Sequence, residues 1–170
     1  MYRDVAAVAK STYRTSLLVP SWELAYLQGC IPDRRMKIIM DSVGGDSSDF
    51  RLILSVLIYA VTTTSYLDLR RRGLNVSALR YEDLIARPLD MCRVVLEFCH
   101  LPASLAQLAV RAFDVDSQRN SVLAKSVIGR FKEPEITSQT KTQLNKLLKQ
   151  YGMQLIGEPP RIIDGTLSCT

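Results

Sequence analysis

Polar and apolar positions alternate along this chain mostly at helical spacing. Behind Asp4, the positions Val5, Val8, Ala9, Thr12 and Leu17 keep a three-and-four rhythm, and the Asp4 carboxylate can accept from the amides of the first turn, so a helix begins there. Residues 50–71 carry the longest helical pattern, apolar on most sides in its first half. It ends in Arg70, Arg71 and Arg72, where cations suit the negative pole of the helix dipole, and Gly73 stops it. Leu74-Asn75-Val76-Ser77-Ala78-Leu79 alternates and is the clearest strand, most simply parallel to its neighbours after a crossover from that helix. Pro88 stands at a first helical position ahead of Leu89, Cys92, Val95, Leu96 and Cys99 on one face, which reads both cysteines as core packing, and His100 ends that helix.

The rest of the chain is less regular. Between residues 20 and 49 a short helical pattern (22–27) and a weak strand, Lys37-Ile38-Ile39-Met40, are interrupted by Gly29, Pro32, Gly44 and Gly45. Leu101-Pro102 breaks the chain before a further helix over 104–113, and residues 114–135 are polar and irregular. A last helix over 137–151 places Leu144, Leu147, Leu148 and Tyr151 on one side and stops at Gly152; residues 159–170 read as a tail or strap. The pattern is that of a helix-rich α/β chain with two short strands, a thin sheet where a doubly wound domain has about five. Only Met1-Tyr2-Arg3 precedes the first helix, where an α/β domain normally supplies a strand, so the expectation is a truncated domain.

Composition narrows the class. With 170 residues, 47% hydrophobic and 23% charged, the chain reads as one globular domain able to bury a core without a disulfide or metal staple. Cys30, Cys92, Cys99 and Cys169 form no C-x-x-C pair and His100 is the only histidine, so no zinc spacing occurs, and the thiols fit a reducing or redox-neutral compartment. A net charge of +5 suits an anionic ligand and is too small to imply nucleic acid. The longest apolar run, 52–61, falls short of the ~20 residues of a membrane span and is closed in front by Arg51, so it reads as a buried helix and no span is expected. The first residues show no apolar stretch of signal-peptide type.

Familiar catalytic motifs are absent. Lys10-Ser11, Lys125-Ser126 and Lys141-Thr142 all lack the glycines of a phosphate-binding loop, and no G-x-G-x-x-G, G-x-S-x-G or H-E-x-x-H occurs. Two constellations remain. Arg3 stands just before a helix whose positive pole faces it, with Ser11 two turns along, a geometry that attracts phosphate. Tyr81 follows the clear strand, where an aromatic can stack on a base while Glu82 or Asp83 caps a turn. By spacing alone, an exposed arginine, a helix-surface serine and a loop with a packed tyrosine account for the same residues.

Taken together, Tyr2-Arg3-Asp4-Val5-Ala6-Ala7-Val8-Ala9-Lys10-Ser11, then Arg80-Tyr81-Glu82-Asp83-Leu84-Ile85-Ala86-Arg87-Pro88-Leu89, then Leu96-Glu97-Phe98-Cys99-His100-Leu101-Pro102 resemble the sulfotransferase family in wording, order and spacing. The resemblance covers residues 1–135, and Asp164-Gly165-Thr166-Leu167 is similar to a closing motif of some members. It implies transfer of a sulfuryl group from 3′-phosphoadenylyl sulfate (PAPS) to a hydroxyl of a carbohydrate, protein or small molecule. The implied fold is a partial three-layer open parallel sheet of the P-loop nucleotide kinase type, over a domain of residues 1–158 with a 159–170 tail. Arg3 and Ser11 would clamp the 3′-phosphate of the nucleotide and Tyr81 would pack by the adenine. Ser117 would approach the nucleotide from a later loop, and Lys132, with Arg130 behind it, would close over the phosphate. No metal is implied.

The chain also departs from the family. The loop that cradles the 5′-phosphosulfate and the catalytic base, a His or a Glu, precede the arginine in that family, and Val5 stands where a proline is common. No catalytic residue is therefore assigned, and the expectation is a C-terminal portion that builds the 3′-phosphate and adenine half of the site. A catalytically inactive nucleotide-binding or structural remnant, and a plain helical α/β domain with chance matches, are the alternatives. The acceptor is not legible. Compartment stays open between cytosolic members and Golgi members anchored at the N-terminus.

Overall fold

A computed structural model describes residues 2–18, 26, 29, 48–115, 121, 124–159 and 161–169. Helices carry it: α1 (Val5–Leu18), α2 (Ser48–Arg71), α3 (Tyr81–Ala86), α4 (Pro88–Phe98), α5 (Ala106–Arg111, between single 3-10 turns), α6 (Lys125–Ile128) and α7 (Ser138–Gln150). The long helix α2 is the axis of the fold and packs on α1 and α7. Its Leu52, Ile53, Leu54, Val56, Leu57 and Val61 are buried against Val5 and Ala9 of α1 and Leu144, Leu147 and Leu148 of α7. A smaller apolar centre under α4 and α5 buries Met91, Cys92 and Ala106.

Local chemistry sets the helix boundaries. Asp4 caps α1 as expected, its Oδ1 accepting from the Ala7 amide at 2.9 Å. Thr137 does the same for α7, accepting from the Thr140 amide at 3.2 Å. At the far end of α2, the Gly73 amide donates to the Arg70 carbonyl and the Leu74 amide to Leu69, the paired bonds of a Schellman stop, with Gly73 at φ 81°. His100 closes α4 by the same two bonds, from His100 to Glu97 and from Leu101 to Leu96, at a left-handed φ of 57°. Cys99, at the cap, is exposed and not a core residue, whereas Cys92 is buried as expected.

The stretch Phe50–Arg71 of α2 is long and apolar enough to cross a membrane by length and composition, with a mean hydropathy of 1.6, so the ten-residue apolar run understated it. Half of that window is buried inside the fold, by α1 and α7, as in the core helix of a globular domain.

The expected sheet is the main correction. Among the described residues no strand forms, so the open parallel sheet, and the three-layer P-loop kinase-like architecture with it, does not describe this fold. The 74–80 run is extended but meets two isolated parallel bridges, Arg80 with Tyr2 and Ala78 with Thr166. Each partner is extended too briefly to continue a ladder. After Tyr2 the chain turns at once into the cap of α1, and Thr166 lies directly behind a turn in which Gly165 has φ 73°. The expected strand at 37–40, and all of the 22–27 helical pattern but Tyr26, lie outside the described residues; Tyr26 is helical.

Candidate functional site

The two bridges bring three distant parts of the chain side by side. The Tyr2 amide donates to the Leu79 carbonyl and the Tyr81 amide to the Tyr2 carbonyl, both at 2.8 Å. In a parallel pair, residues that follow the bridge on each segment project to the same side. Arg3 and Tyr81 therefore meet, with the guanidinium carbon 4.4 Å from the centre of the tyrosine ring, a cation–π stack. One residue further, Glu82 Oε1 accepts from the Asp4 amide at 3.1 Å. The register 2–80, 3–81, 4–82 thus holds for three residues, the last pair through a side chain.

This register changes the anion geometry expected from the sequence. Amides at the start of α1 are already engaged by carboxylates, Asp4 by Glu82 and Ala7 by Asp4. The free donors are those of Arg3, which makes no ion pair with any described residue. Ser11 lies seven residues past Asp4, on the same face of α1 and about 10 Å along it, with the small side chain of Ala7 between. No hydrogen bond joins it to Arg3. Lys10 and Arg14 flank Ser11 and both reach Glu133, at 3.4 and 3.5 Å, which brings the segment of Lys132 against this part of α1. Lys132 and Arg130 themselves are exposed, and Ser117 lies outside the described residues.

Arg3 and Tyr2 open onto a pocket of about 200 Å³. The start of the chain gives it Tyr2, Arg3 and Asp4, and the 80–82 segment gives Arg80 and Glu82. Tyr59 of α2 lines it too, while Gln154 and Arg161 arrive from beyond α7. Burial pushes the Tyr59 phenol above its ordinary range; the Thr63 hydroxyl pulls it back in part, and Tyr2, Asp4 and Glu82 add to the rise. Tyr59 is thus a neutral hydrogen-bonding wall. Arg80 is shared between Glu82 at 3.5 Å and Asp83 at 3.7 Å. Among the described residues no group of three or more His, Cys, Asp or Glu is placed to hold a metal ion.

Arg3 and Tyr81 are thus the residues of the sequence reading that the fold brings into contact. Missed were Tyr59, Gln154 and Arg161. Tyr59 carried no signal beyond its place in an apolar helix, Gln154 sat between the last helix and the strap with no element assigned, and Arg161 sat in the strap. The six residues of α3, read as a loop, are helical and place Tyr81 at their start. Compared with family models, with curated proteins and with solved structures, the chain matches none. The site must be read from its own chemistry: a forked cation stacked on an aromatic face, beside a small pocket carrying three arginines and two carboxylates.

Proposed function

We propose that this chain supplies the 3′-phosphate- and adenine-binding half of a sulfotransferase that uses 3′-phosphoadenylyl sulfate as donor. The observation that carries the reading is the Tyr2–Arg80 pairing, which lays Arg3 on Tyr81 although the two belong to motifs 78 residues apart in the sequence. The support is this register and not a sheet. A guanidinium with its fork unpaired recognises a phosphate bidentately, and an aromatic ring beside it offers a face or edge to a purine. Ser11, further along the same face of α1, can add a hydroxyl donor, and the segment bearing Lys132 lies close to that turn.

Sulfuryl transfer requires that charge on the transferring group be neutralised and the acceptor hydroxyl be aligned and deprotonated. The residues named here do neither. They hold the donor by its far end, where binding energy from a non-reacting part positions the reacting part. Titration of the chain with 3′-phosphoadenosine 5′-phosphate and with adenosine 5′-phosphate tests the reading. Tighter binding of the bisphosphate, reduced by Arg3→Ala and by Ser11→Ala, is the expected result. Equal affinity for the two nucleotides overturns the roles of Arg3 and Ser11.

A further inference from the structure

The pocket beside Arg3 holds a feature that the resemblance does not supply. Arg161, from the segment behind α7, lines the same cavity as Arg3 and Arg80. Its place is fixed by a built loop. The Gln154 amide group clasps that loop from inside, its Oε1 accepting from the Arg161 amide at 2.8 Å and its Nε2 donating to the Glu158 carbonyl at 3.0 Å. The Glu158 carboxylate in turn accepts from the Leu155 amide at 3.0 Å. Arg161 itself is held loosely, with Nη2 3.7 Å from Glu158, so most of its fork is free.

Further along, the strap is anchored to the residue beside Arg3. The Tyr2 hydroxyl lies 3.0 Å from Thr166 Oγ1 and accepts from the Ile163 amide at 3.4 Å. Three arginines from the start, middle and end of the chain thus converge on one cavity, against the carboxylates of Asp4 and Glu82. The two carboxylates offset two of the three charges, which leaves the cavity lining a net positive charge that attracts an anion.

We infer that the turn of residues 154–159, with Arg161 behind it, is a wall of the ligand site and that Arg161, with Arg3 and Arg80, binds a phosphate monoester. Resting on the reading above, that group is the 3′-phosphate of the nucleotide. The cavity has room for a phosphate with part of its sugar, and the carboxylates that line it suit ribose hydroxyl donors. Gln154 is a positioning residue, since both ends of its side chain are spent on the loop.

The test uses the full chain and three variants: Arg161→Ala, Arg3→Ala, and Arg93→Ala as a control for net charge on the exposed face of α4. Arg161→Ala is expected to weaken 3′-phosphoadenosine 5′-phosphate about tenfold while leaving adenosine 5′-phosphate within about twofold, with Arg93→Ala changing neither. An unchanged affinity in Arg161→Ala, with a loss in Arg3→Ala, overturns this inference and leaves the functional reading standing. If the native chain does not discriminate the two nucleotides, the functional reading falls. Titration with inorganic phosphate, followed by the arginine Nε–H resonances, then decides the anion site: a shift at Arg161 that saturates sustains it, and no shift overturns it. Circular dichroism on each variant confirms the fold; the Arg161 side chain is mostly exposed, so its truncation removes little packing.

Discussion

Gly165→Ala is the sharpest perturbation of the strap. Gly165 sits at φ 73°, where a Cβ costs about 1–2 kcal/mol for an L-residue. The added methyl would also fall on the guanidinium of Arg70. That group can swing away, but in doing so it leaves Asp164 Oδ2, 3.0 Å from Nε, and the Val76 carbonyl, 2.8 Å from Nη1. The loss should therefore exceed the backbone term in the native background and equal it in an Arg70→Ala background. For a domain of this size, 1–2 kcal/mol corresponds to a fall in Tm of about 2–8 °C. Urea unfolding followed by circular dichroism measures it, with the slope in urea unchanged. Hydrogen exchange locates it, through faster exchange of the Ala78 and Leu167 amides that close the bridge to the strap. Unchanged stability and protection refute the docked strap. An identical cost in both backgrounds refutes the part assigned to Arg70.

Three further outcomes follow from the same geometry. His100→Gly relieves a left-handed backbone at an exposed helix stop and is expected to stabilise by about 0.5–1 kcal/mol in urea unfolding, the unfolded-state entropy of glycine offsetting part of the gain. Thr137→Ala removes the cap of α7 and should cost about 1 kcal/mol in the same assay. Tyr59, with its folded pKa raised above 10.0 mainly by burial, contributes stability that is complete below the unfolded value and is lost as pH rises through the folded one. A series of Tm values between about pH 9 and pH 11 should therefore fall less steeply for Tyr59→Phe than for the native chain.

What could be read from the sequence was local. Asp4, Pro88, Thr137, Gly73 and Gly152 act within one helical turn of themselves, and the helices they bound, α1, α2, α4 and α7, appear where their spacing placed them. Alternation from Leu74 to Leu79 reports only that this run favours an extended backbone. Whether it becomes a strand depends on partners elsewhere, and here Tyr2 and Thr166 each offer one residue. Tyr81-Glu82-Asp83-Leu84-Ile85-Ala86 is too short for helical periodicity to register, so α3 was invisible as a helix. Cys99 fits the apolar stripe of α4, but it falls at the cap, where the chain leaves the helix and the stripe no longer faces the core. Gln154 and Arg161 had no local signal because their placement comes from bonds that close a loop.

Tyr2 explains why the site can be both small and composite. Its backbone pairs with residues 79–81, its hydroxyl meets Thr166 and Ile163, and its neighbour Arg3 stacks on Tyr81. One residue therefore joins the start of α1, the segment leading into α3, and the strap. These bonds lie outside the main core of α1, α2 and α7, so they can open without unfolding it. A ligand held jointly by Arg3, Arg80 and Arg161 binds only the assembled form, and at 100 times its dissociation constant would stabilise that form by about 2.7 kcal/mol. Linkage runs both ways: the ligand stabilises the docked strap by the same free energy by which undocking weakens the ligand, and Gly165→Ala lowers the apparent affinity only by the fraction of chains it leaves undocked. Slower exchange of the Ala78 and Leu167 amides in saturating nucleotide would tie the strap to the pocket, and unchanged exchange would make it packing alone.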